Sequence, residues 1–289
     1  MRALLLLCTW SLLFNSVAAA QDAPAPGVRA AGMGGAFTAV ADDGSAAYWN
    51  PGGLASGSFF SLVLDHNAQD DGNATLLTLG TPPLGLTYYR TATGPASADR
   101  NSLVAHHAGV TVVQSLADRI AVGATVKVVR GSARAGSGPA VSSTKVDADL
   151  GVMLMGALGR LGLSVHNVAA PSFATTGDAI PLERRVRGGI SLNTGRLTTV
   201  AADLEFTTTH RIADGRPWRE AALGVETHPR RKAWLRGGVH WNTAGDTAAP
   251  TGSVGASYAV YGSTVADAQV SFGSGDGNSG WGVGLRFVF

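Results

Sequence analysis

The closing stretch Trp281-Gly-Val-Gly-Leu-Arg-Phe-Val-Phe289 decides the fold class. Trp281, Val283, Leu285, Phe287 and Phe289 fall on one face of an extended strand, and Gly282, Gly284 and Arg286 fall on the other. A period of two fits a strand whose faces meet different media. In a soluble sheet the greasy face covers a core. In a membrane barrel it meets lipid, and the small or charged face lines the lumen.

The same two-sided pattern recurs along the chain. Ile120, Val122, Ala124, Val126 and Val128 oppose Gly123, Thr125 and Lys127, while Val146, Ala148, Leu150, Val152 and Leu154 oppose Asp147 and Asp149. The pattern predicts an all-β transmembrane antiparallel barrel of about fourteen strands. They run over 57–65, 74–80, 84–90, 102–115, 119–130, 145–156, 159–167, 184–193, 196–206, 219–227, 231–241, 252–261, 263–272 and 280–289, with twelve as the alternative count. Links predicted to be long (66–73, 91–101, 131–144, 168–183, 207–218, 242–251, 273–279) alternate with short ones. Tight turns on one side and longer loops on the other are what an outer-membrane barrel shows, and an even strand number puts both termini in the periplasm.

Composition agrees. The chain has 39 glycines among 289 residues, only 15% charged residues and a formal net charge of +2, a balance that implies no nucleic-acid partner. Residues 1–20 read as a signal peptide: Met1-Arg2, an apolar stretch too short to span a bilayer, then Ala18-Ala19-Ala20 before Gln21. Cys8 leaves with it, so no disulfide can staple the barrel, which residues 57–289 would form.

The inward face carries both signs. Asp147, Asp149, Asp203, Glu205, Glu220 and Glu226 alternate with Lys127, Arg160, Lys232, Arg236 and Arg286 as predicted lumen residues. Mixed charges in a narrow barrel are expected to pair across strands. A selectivity filter, the sharper reading, would call for enrichment in one sign.

Residues 27–56, within an N-terminal segment 21–56, do not alternate. Gly32, Gly34 and Gly35 permit close backbone approach. Asp43 or Ser45 can cap a short helix through Ala46–Trp49, which should end where Asn50 precedes Pro51. Small residues and short helical turns ahead of the first strand suit a plug inside a barrel.

Here a resemblance becomes specific. Arg29-Ala-Ala-Gly-Met-Gly-Gly-Ala-Phe37, Ala41-Asp42-Asp43 and Trp49-Asn-Pro-Gly-Gly-Leu54 resemble the opening of the FadL/TodX outer-membrane transporters and of the related PorV/PorQ branch. The Asn50-Pro51-Gly52 triplet is similar to the family's Asn-Pro-Ala, with Gly52 in place of Ala. The ending on Trp281, Phe287 and Phe289 resembles the assembly signal of outer-membrane barrels. The resemblance implies a hatch (Gly32, Gly34, Gly35, Asp42, Asp43, Trp49, Asn50, Pro51) in the lumen of a fourteen-stranded barrel. It implies a passive conduit for a small hydrophobic ligand or, for a PorV-like member, a secretion partner that binds exported protein cargo. Outer-membrane lipid and the barrel assembly machinery are the other partners it implies.

Enzyme chemistry finds no support. His106 and His107 are adjacent in a strand and point to opposite faces, so they cannot share a metal. Ser142-Ser-Thr-Lys145 enters a strand, whereas the catalytic Ser-x-x-Lys motif needs a helix. Asp70-Asp71 beside a turn glycine reads as a solvated pair. No cofactor and no metal site is expected.

Overall fold

The computed structural model describes residues 24–93, 100–195, 197–245, 248, 250–273 and 279–289; the signal segment 1–20 lies outside them. Fourteen strands close into one antiparallel barrel. They are β1 (Ser61–Gln69), β2 (Gly72–Thr81), β3 (Leu84–Thr93), β4 (Ser102–Ala117), β5 (Ile120–Arg134), β6 (Val141–Met155) and β7 (Gly159–His166). The ring continues with β8 (Arg185–Thr194), β9 (Thr198–Glu205), β10 (Glu220–Arg230), β11 (Ala233–Asn242), β12 (Thr251–Tyr261), β13 (Thr264–Gly273) and β14 (Gly280–Val288). Each strand pairs with its neighbours in sequence. The ring closes between β1 and β14, with Ser61 opposite Val288 and Gln69 opposite Gly280.

Alternation decides which face each side chain takes. Val126, Val128, Val146, Leu150, Leu204, Leu235, Val283 and Leu285 stand exposed on the outside. Their neighbours Thr125, Lys127, Asp147, Asp149, Asp203, Arg236 and Arg286 are buried. An apolar belt this continuous is a liability in water and a match for hydrocarbon.

Three expectations need correction. The first strand runs over Ser61–Gln69 rather than 57–65, because the polar residues Asp65 and Asn67 alternate inward and do not end it. The link expected over 66–73 shrinks to a two-residue turn at Asp70-Asp71. Lys232 is not a lumen residue: it sits exposed in the turn between β10 and β11, where its ammonium stays hydrated. Two long links also contain small ladders that the sequence pattern does not announce, Ser172–Phe173 with Ile180–Pro181 and Thr209–His210 with Pro217–Trp218.

Residues 24–56 form α1 (Val28–Gly32), α2 (Ala46–Trp49) and a 3-10 turn (Pro51–Ser56). The Asp43 carboxylate accepts from the Ser45 amide at 2.9 Å, just ahead of α2. Asn50 ends α2 in an extended conformation (φ −160°, ψ 99°), and Pro51 starts the next turn, as a residue with fixed φ and no amide proton can. The partners of this segment lie all around the ring: the Val28 amide donates to Asp65, those of Phe37 and Thr38 to Asp203, and the Asn50 amide group to the Val152 carbonyl. Such contacts place the segment within the ring. Phe37 and Met33 are fully buried there, each worth about 2 kcal/mol of apolar burial.

Backbone meets backbone at these contacts. A Cβ on Gly123 or Gly151 would collide with Asn50-Pro51, and one on Gly224 or Gly238 with Met33. Gly34 itself sits at φ +64° with no room for a side chain beside Val239.

Candidate functional site

Charge inside the barrel is gathered into three knots. In the first, Arg29 donates to Glu226 through two nitrogens (2.9 and 2.7 Å) and to Asp42 and Asp43 (2.6 and 3.1 Å). Glu226 also holds Arg236, its direct partner across β10 and β11. Arg286 bonds Asp267 at 2.6 Å and reaches Asp43 at 3.4 Å, and Arg160 meets Asp42 at 3.3 Å. Burial opposes the Arg29 charge, yet Glu226, Asp42 and Asp43 outweigh it and hold the guanidinium well above its ordinary pKa. Burial would also raise the Asp43 carboxyl, but Arg29 and Arg286 hold it below the usual carboxylate range.

The second knot centres on Arg187, which meets Asp203 (3.0 Å), Glu220 (2.9 Å) and Glu205 (3.5 Å) and donates to the Gly35 carbonyl. Arg185 joins it through Glu205. The guanidinium of Arg187 also lies over the Trp49 ring, 5.6 Å from its centroid.

In the third knot Lys127 donates to Asp149 (2.6 Å) and to Asn167 (2.9 Å), with Asp147 at 3.4 Å. Asp149 and Asp147 accept in turn from the backbone amides of Asn167 and Ala169. These acids therefore anchor the start of the link 167–184. The predicted residues thus fall into tied groups of both signs rather than into a ring of one sign.

Between the N-terminal segment and the long links lies a cavity of about 200 Å³. Its lining near β3, β4 and β7 is aromatic. Tyr89 stacks on His107 (4.0 Å between centroids, 11° between planes), and Tyr48 meets Tyr89 edge-on at 5.1 Å and His166 at 5.5 Å. The links supply Leu182, Ile212 and Trp218. Phe173 turns inward as well, seated on Gly131 among Leu103, Ala105 and Val129. The other sector presents Asn67 and Gln69 of β1 with Gln269 and Ser271 of β13. Gly280 and Gly282 of β14 lie between them, and the bare strand lets side chains from both neighbours fold across it.

Sequence reading missed several of these groups. Asp267, Gln269 and Ser271 alternate with Ala268 and Val270, and Arg185 and Arg187 flank Val186, so a period-two signal was present for both sets. His107 was weighed only as a metal ligand. The structure instead stacks it on Tyr89, while His106 stands outside against Tyr88.

Solved structures share this architecture. CymD, a monoaromatic hydrocarbon channel, matches with a TM-score of 0.71 at 15% identity over 96% of this chain and 99% of that one. The fold is that of the hydrocarbon channels. A Pseudomonas aeruginosa FadL homologue matches at 0.68 and 11% identity over 94% of this chain and all of that one. The Ralstonia pickettii toluene transporter TbuX matches at 0.64 and 17% identity over 91% and 98%. No protein-family model matches the sequence, and no curated protein matches it significantly.

Proposed function

We propose that this chain is an outer-membrane channel for small hydrophobic molecules, with residues 24–56 serving as its hatch. The observation that carries the reading is the aromatic-lined cavity, set between inward-folded links and the N-terminal segment inside a barrel with an apolar outer belt. An apolar cavity of about 150 Å³ suffices for one benzene ring, so 200 Å³ admits a single-ring solute. The fold shared with channels for toluene and other monoaromatic hydrocarbons supports the same class. Entry is from the links. Exit is by a shift of the segment against the wall, which its backbone meets at Gly123, Gly151, Gly224 and Gly238. The flow is passive, driven by the solute gradient.

The rival reading, a PorV-like partner for exported protein, calls for apolar side chains offered outward by the links. Phe173, Ile180 and Trp218 are instead buried toward the barrel, which favours the conduit. The test is uptake of a radiolabelled single-ring hydrocarbon by intact cells with and without the protein. Uptake that depends on the protein supports the channel. Equal uptake in both strains, together with recovery of an exported protein on the links, would support the rival.

A further inference from the structure

His107 is 2% exposed, lines the cavity, and its Nδ1 is buried without a hydrogen-bond partner. Leaving such an atom unpaired is costly unless a ligand pairs with it. It is not alone. Among the described residues, Gln69, Ser253, Gln269 and Ser271 also line this cavity, and a side-chain oxygen of each is buried without a partner. All of these groups are uncharged polar atoms, or become so in a neutral imidazole.

The charged groups of the same lining are already engaged. Arg187 holds Asp203, Glu205 and Glu220, Arg185 holds Glu205, and His210 meets Glu183 at 3.0 Å. A carboxylate or ammonium on the solute would have to break one of these pairs. A neutral hydroxyl would break none, and it can either donate to Nδ1 or accept from it.

The ring half of the solute is equally constrained. Tyr89 lies parallel to His107, and Tyr48 stands edge-on to Tyr89, so a flat ring meets both a face and an edge. Resting on the channel reading above, we propose that the preferred solute is a neutral hydroxylated single-ring aromatic, its hydroxyl on His107 Nδ1, in preference to a bare hydrocarbon. The unpaired amide and hydroxyl oxygens of β1, β12 and β13 then give the hydroxyl further stations along the cavity.

The test compares 4-methylphenol with 1,4-dimethylbenzene, which share a shape and differ by a hydroxyl in place of one methyl. Binding to the purified full-length protein in detergent is followed by tryptophan fluorescence, since Trp49 and Trp218 line the cavity. We expect 4-methylphenol to bind about tenfold more tightly, the value of one net hydrogen bond. His107→Phe keeps a ring against Tyr89 and should erase that ratio while leaving the hydrocarbon bound. Equal binding of the two compounds to the unaltered protein, or a tenfold ratio that persists in His107→Phe, would overturn this proposal and leave the channel reading standing. Binding of neither compound would overturn both. The unaltered protein alone decides between the two solutes, whatever the stability of the variant.

Discussion

Arg29 and Glu226, 197 residues apart, form a two-point ion pair that ties the N-terminal segment to the tenth strand. The pair is buried, and removing one member of such a pair typically costs about 3–5 kcal/mol. Glu226 keeps Arg236 as a second partner, so Arg29→Met should fall at the lower end, about 3 kcal/mol. The barrel should still assemble. Limited proteolysis of the purified protein should then cut within 24–56 at least tenfold faster than in the parent, and an unchanged cutting rate would show that the segment is held by its backbone contacts alone.

The same knot gives a pH dependence. The Asp43 carboxyl is held below its ordinary range in the folded protein, so its stabilising contribution is complete above the unfolded carboxylate pKa of about 4. It is lost as the pH falls below that value. Protease resistance of the segment should decline as the pH falls below about 4, and Asp43→Asn should flatten that decline.

Phe289 extends the ladder that closes the barrel. The Phe289 amide donates to the Phe60 carbonyl at 2.9 Å, the Phe60 amide returns a bond at 3.3 Å, and the two rings meet edge-on at 5.6 Å. Deleting Phe289 should lower the amount of folded, heat-modifiable barrel in outer-membrane fractions several-fold. Phe289→Tyr, which keeps ring and backbone, should not.

Orientation can be read by labelling. A cysteine at Gly136, in the link between β5 and β6, should react with a membrane-impermeant maleimide on intact cells, and one at Ala117, at the opposite end of β4, should not. Labelling confined to Ala117 would invert the barrel.

Much of this fold was legible because a membrane barrel writes its two faces into a period of two. Val126 against Lys127 and Leu285 against Arg286 are enough to assign inside and outside. The same rule hid the true first strand, because Asp65 and Asn67 look like a loop until the lumen is known to be polar. That 24–56 is not part of the strand pattern was legible from its small residues and from Asn50-Pro51. Its partners were not: Arg29 with Glu226, Phe37 with Asp203 and Asn50 with Val152 are contacts across more than a hundred residues, set by closure of the ring and not by any local pattern. The cavity escaped for the same reason. Tyr48, Tyr89, His107 and His166 come from four separate elements, and nothing in their spacing announces that they meet.

The central claim is that solute passes only when the N-terminal segment moves. The Ser191 hydroxyl of β8 donates to the Ala39 carbonyl at 3.1 Å, so two small residues adjoin across the boundary between segment and wall. The mature chain is expected to lack cysteine, so Ala39→Cys with Ser191→Cys should give one reversible lock between segment and wall. The decisive measurement is hydrocarbon uptake by cells carrying this double variant, before and after a small reductant. The account predicts uptake near that of cells lacking the protein while the lock is closed, rising at least fivefold towards the parent's rate on reduction. Equal uptake in the locked and the reduced protein, with the disulfide verified, would contradict it.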